Sequence, residues 1–136
     1  EEADGPKLRD TIEVPVIPLD KIMPDDILGK LVVKSDVEGF ELHALRGFAE
    51  SLTRCRPPVI TEVVPRTLER AGTSAEQLFA FFHERDYAAY IVGLGRDRLR
   101  RSRLELSPIS DPRPIDYEAD ILWAPNDGWF DPWPFT

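Results

Sequence analysis

With only one cysteine, Cys55, the chain has no intramolecular disulfide and no thiolate cluster for a metal. Histidine is almost as scarce. His43 and His83 lack a partner at metal-pair spacing, and each falls among charged residues on an expected helix, so both read as surface residues. No apolar run approaches the roughly 20 residues that cross a bilayer. The first residues also lack the basic and apolar blocks of a secretory leader. These absences read as a soluble chain, for which a cytoplasmic setting is permitted. Positive charge is in the minority: 17 Lys and Arg against 25 Asp and Glu give a formal charge of -8. Nucleic acid and an anionic membrane would be repelled over most of such a surface, so neither is expected as a partner.

What is present is enough for one domain with one core, in 136 residues of which 42% are hydrophobic. The stretch Leu31-Val-Val-Lys-Ser-Asp-Val-Glu-Gly39 is a short valine-rich run between Gly29 and Gly39, too short for a helix and apolar enough for a buried parallel strand. Ligands of open α/β sheets sit outside the carboxyl ends of strands, which is where Asp36 and Glu38 fall. A carboxylate there can orient a hydroxyl, accept its proton or help hold a metal. The competing reading is that Asp36 caps the helix that follows. Glu62 lies toward the equivalent end of the next β-branched run, residues 59–64, and shares the crevice with Asp36 if the two strands are neighbours. An acid inside an apolar strand is costly to bury unpaired, so a structural ion pair between Lys34 and one of these carboxylates is the alternative. Glu41 lies one helical turn from Asp36 or Glu38, which permits a site role, although the helix dipole by itself favours an acid in that first turn.

Residues 1–13 are polar and without period, a flexible lead-in. Residues 14–17 suit a short edge strand, residues 19–23 one helical turn, and Pro24-Asp-Asp26 a turn. From 40 to 52 the apolar spacing is helical, broken at Gly47 into two short helices. Pro65 closes the second strand. A helix starting at Thr73 or Ser74 carries capping-box spacings to Glu76 and Gln77 and extends to about Arg85-Asp86. Residues 87–92 read as a third strand, Gly93-Leu-Gly95 as a turn, and residues 120–124 as a fourth strand, with a short strand at 104–106 inside the charged connection 96–118. That connection carries Arg96, Arg98, Arg100, Arg101 and Arg103, a solvated loop or a grip for an anion. Trp129, Phe130, Trp133 and Phe135 mark an aromatic tail over 126–136, expected to fold back on the sheet. The alternation of strands and helices is α/β.

Five segments together resemble the C-terminal half of an FkbM-type methyltransferase: Val14-Pro-Val-Ile-Pro-Leu-Asp20, Lys34-Ser-Asp-Val-Glu-Gly-Phe-Glu41, Leu45-Arg-Gly47, Arg56-Pro-Pro-Val-Ile-Thr-Glu62 and Ala119-Asp-Ile-Leu-Trp-Ala-Pro125. Ser35 is the one departure from the family's central signature, Lys-Ile-Asp-Val-Glu-Gly followed by a second Glu. The resemblance implies a partial methyltransferase domain over 14–125. Its fold would be the C-terminal half of a doubly wound class I methyltransferase (Rossmann-like) sheet, mainly parallel with an antiparallel terminal strand pair. It further implies an S-adenosylmethionine-dependent O-methyltransferase acting on a hydroxylated small molecule such as a sugar. Asp36 would place or deprotonate the acceptor, Glu38 and Glu62 would support it, and no metal is assigned. The cofactor's glycine loop, and with it most cofactor-binding residues, would belong to sequence ahead of this fragment. The exposed edge of the central strand would then be covered by residues 1–30, by a second copy, or, as preferred, by the remainder of a longer chain. Two other classes stay open: a non-catalytic module binding a partner through the arginine loop or aromatic tail, and a Mg²⁺-dependent hydrolase using Asp36 and Glu38. Acceptor choice is assigned to the connection 96–118.

Overall fold

The β-branched run between Pro58 and Pro65 becomes a strand, and segments with helical apolar spacing become short helices packed over the sheet. The computed structural model describes residues 12–24, 27, 31–96 and 102–128. In order these are a 3-10 turn (Leu19–Lys21), β1 (Val33–Ser35), α1 (Glu41–Arg46), α2 (Ala49–Cys55), β2 (Val59–Val63), α3 (Pro65–Arg70), α4 (Ala75–His83), β3 (Tyr87–Arg96), β4 (Ser102–Ile109) and β5 (Ala119–Pro125).

The strands form one five-stranded sheet in the order β1-β2-β5-β3-β4. Only β1 and β2 are parallel neighbours; the β2–β5, β5–β3 and β3–β4 ladders are antiparallel. The expectation of a mainly parallel sheet is therefore corrected to a mostly antiparallel one. The cause is the place of β5, which inserts between β2 and β3 and separates strands that still point the same way. The mixed α/β architecture is compatible with a methyltransferase-like fold.

Helix α4 starts where its cap predicts: the Ser74 side chain accepts the Gln77 N–H at 3.2 Å. It ends at His83, a little early, because Asp86 takes a positive φ of 58° and turns the chain into β3. The division at Gly47 also holds, with α1 ending before it and α2 starting after it. Three local expectations fail. Residues 14–17 are exposed and outside any strand. Pro65 does more than close β2: it is the first residue of α3, where its missing N–H and fixed φ cost nothing. Gly93-Leu-Gly95 is not a turn, since β3 runs straight through it with β4 as ladder partner from Ala89↔Ile109 to Arg96↔Ser102.

The core lies on one face of the sheet. Val59 and Val63 of β2, Ala89 of β3, and Ile121 and Trp123 of β5 meet Leu42, Leu45, Leu52, Leu68, Leu78 and Phe82 from the four helices. Among the described residues the helices thus cover one face rather than both, a second departure from a doubly wound arrangement. Trp123 is the centre: it stacks on Phe82 at 4.2 Å, meets Phe79 edge-on, and donates its buried indole N–H to Thr61 Oγ1 at 2.9 Å. Strand alternation sends Lys34, Ile60, Glu62, Asp120, Leu122 and Tyr90 to the other face. The aromatic tail from Trp129 onward lies outside the described residues.

Candidate active site

Parallel pairing of β1 with β2 ends at Ser35↔Thr61, so the next residues along, Asp36 and Glu62, come side by side at the carboxyl ends of both strands. Glu38 joins them. Carboxylate oxygens of Asp36, Glu38 and Glu62 all lie within 4.8 Å of one another. One cation would reach all three, a spacing that exposed acidic groups also adopt without one. All three sequence-predicted residues are brought together.

Glu38 reaches the cluster through an uncommon turn. The Phe40 N–H donates to the Val37 carbonyl at 3.2 Å, and the two central residues both have positive φ, 53° at Glu38 and 100° at Gly39. Those are the signs of a type I′ turn, which wants glycine at the second position. Glycine is also required by packing: an added Cβ at Gly39 would fall on the backbone carbonyl of Thr67 in α3. Beneath the turn, Glu41 is 2% exposed, and its Oε1 accepts N–H bonds from Val37 at 3.1 Å and Gly39 at 3.3 Å. The sequence favoured the helix dipole for Glu41 over a site role; its spacing behind a Glu-Gly pair is the signal that pointed to the latter.

The geometry bears on both structural alternatives. Asp36 does not cap α1, whose N-cap is Phe40 without a side-chain cap bond. The ion pair of Lys34 with one of the carboxylates does form, with Asp36 rather than Glu62, at 2.9 Å between groups that are both well exposed. Such an exposed pair is screened by solvent and adds little to stability, and it holds the Lys34 ammonium above its ordinary pKa. Glu62 faces acids instead. Partial burial pushes its carboxyl up, and Asp36, Glu118, Glu38 and Asp120 add to the push by like charge. Asp120 is its direct cross-strand partner.

An apolar wall flanks the carboxylates. A groove of ≈ 340 Å³ runs along β1 between Asp36, Val33, Leu19, Ala44 and Phe48. A neighbouring one of ≈ 470 Å³ is lined by Val16, Ile17, Val37 and Phe40. A third groove, of ≈ 560 Å³, lies beside Asp86, Tyr90 and Asn126 and includes none of the predicted site residues. The pairing of β3 with β5 stops at Ile91, so residues 92–96 and their β4 partners extend as a two-stranded arm. It points to the carboxylate end of the sheet, because β3 runs parallel to β2. Arg103 is exposed on that arm, whereas Arg98, Arg100 and Arg101 lie outside the described residues. His43 and His83 are exposed, as expected.

A family model described as the methyltransferase FkbM domain matches residues 2–89. No curated protein and no solved structure matches the chain. The matched span holds β1, β2 and all three carboxylates, and it ends within β3.

Proposed function

The chain belongs to the FkbM methyltransferase domain family, and from that premise we propose that it forms the acceptor side of an S-adenosylmethionine-dependent O-methyltransferase for a hydroxylated small molecule such as a sugar. The observation that carries this reading is the meeting of Asp36, Glu38 and Glu62 at the carboxyl ends of two parallel strands.

Transfer of a methyl group to an alcohol needs the oxygen held in line and a group to take its proton. Asp36, fixed at the end of β1 and paired with Lys34, accepts a hydrogen bond from the hydroxyl and orients it. Glu62 receives the proton, its affinity for it raised by partial burial and acidic neighbours. Glu38 keeps the cluster negative. The grooves beside Asp36 shelter the apolar side of the acceptor. When bound, S-adenosylmethionine supplies an electrophilic methyl on a sulfonium. The described residues fit the acceptor better than the cofactor: the Gly93-Leu-Gly95 segment lies inside β3 and opens no helix. The adenosine and methionine of the cofactor would therefore be held mainly by residues other than those described, in the remainder of a longer chain. The same remainder would cover the outer edge of β1 together with the exposed Val16, Ile17, Val32 and Phe40.

The test is calorimetric titration with S-adenosylhomocysteine, of this chain and of the chain with any further native sequence, followed by transfer of labelled methyl to a panel of sugars and other polyols. Asp36→Asn should lower kcat by about 10²- to 10⁴-fold with the S-adenosylhomocysteine affinity within about twofold. Binding by neither form, or transfer indifferent to Asp36, sinks the reading.

A further inference from the structure

Glu41 touches none of the three clustered carboxylates, yet it occupies the point from which their geometry is set. It is a carboxyl buried to 2% exposure. Its Oε1 reaches back from the first turn of α1 to bond two backbone amides, Val37 N–H and Gly39 N–H, which bracket Glu38. Those amides belong to a turn whose first central residue is not glycine but Glu38, at φ 53°. A left-handed conformation at a residue with a Cβ is strained and persists only where its surroundings impose it. Two forces do so here. Gly39 lies against the Thr67 carbonyl of α3 and cannot move inward, and Glu41 pulls both flanking amides toward α1.

We propose that Glu41 is a positioning residue: by accepting both amides it locks the Val37–Phe40 turn and holds Asp36 and Glu38 beside Glu62. The inference rests on the reading of that trio as the acceptor site. The role requires an oxygen acceptor at the right reach, so glutamine serves and aspartate, one methylene shorter, does not.

Three variants of the full chain test this: Glu41→Ala, Glu41→Gln and Glu41→Asp. Amide hydrogen exchange reads the two bonds, and a carboxyl-carbon NMR titration of Glu62 reads their consequence, since Asp36 and Glu38 are among the charges facing it, with Glu118, Asp120 and the Lys34 ammonium. In Glu41→Ala, exchange at Val37 and Gly39 should rise about tenfold or more relative to Thr61 and Ile121 in the core. The Glu62 midpoint should also fall part of the way to an ordinary glutamate value. Glu41→Gln should stay near wild type in both. If the alanine variant does not fold, Glu41→Asp should show the same two changes. A folded variant that has lost thermal stability while the Glu62 midpoint and the two amides stay unmoved overturns the proposal, since that is the signature of a purely structural glutamate. Neither readout needs turnover. Failure of the acceptor-site reading would instead appear as absent methyl transfer by wild type.

Discussion

Glu62 joins site chemistry to stability. A carboxyl pushed above its ordinary pKa by the fold binds its proton more tightly folded than unfolded. The folded state therefore loses stability as pH rises through the folded value and recovers it below the unfolded one. Glu62→Gln is expected to raise the thermal midpoint at pH 7. The gain should vanish below about pH 4, where glutamate is protonated in either state. The same variant should slow methyl transfer, because the raised proton affinity is what the reaction uses. An equal gain at pH 3 and pH 7 would show that the acids around Glu62 do not act on it. Gly39 is the opposite case, a residue with no chemistry that the site cannot spare. Gly39→Ala places a Cβ on the Thr67 carbonyl in a left-handed conformation, and a loss of about 3 kcal/mol is expected in urea unfolding. A loss below about 1 kcal/mol would mean that the turn moves freely away from α3.

At the scale of elements, what could be read in advance was what depends on neighbours in sequence. The cap at Ser74, the break at Gly47 and the β-branched run from Val59 to Val63 are local signals, and each element lies where they place it. Asp36 and Glu62 were legible as strand-end acids for the same reason. Their adjacency was conditional on a pairing that sequence does not specify. Glu41 was underrated because its partners exist only once Glu38 and Gly39 take positive φ. The arm of β3 and β4 was read only in part, as strands over 87–92 and 104–106 with a turn at Gly93-Leu-Gly95 between them: glycines at 93 and 95 weaken a strand in isolation, and only the ladder from β4 makes them part of one. The start of α3 was missed although Pro65 advertised it. The parallel expectation failed at β5, which bridges β2 and β3 through two ladders. Ending the chain at residue 118 should therefore abolish cooperative thermal unfolding, since it also removes Trp123 from the core. A sharp transition in that truncation would show that the helices and β2 hold together without the strand between them.

Across the whole molecule, polarity is divided. The helical face of the sheet is closed around Trp123, while the described apolar side chains most open to solvent, Val16 and Ile12 among them, gather mainly in the segment before β2. Leu94, on the arm, is the main exception. No described helix is long and apolar enough to cross a membrane. An excess of acid, with a formal charge of -8, keeps such a surface dispersed through mutual repulsion. The central place of β5 also has a consequence in time. About 60 residues separate the end of β2 from the end of β5, and a ribosome adding roughly 5–20 residues per second takes several seconds over them. Through that interval the inner edge of Val59–Val63, β-branched and unladdered on that side, is open to any other nascent strand. Slowing translation upstream of Ala119 should lengthen that interval and raise the fraction of chain lost to aggregation, as pelleting of newly made protein would show.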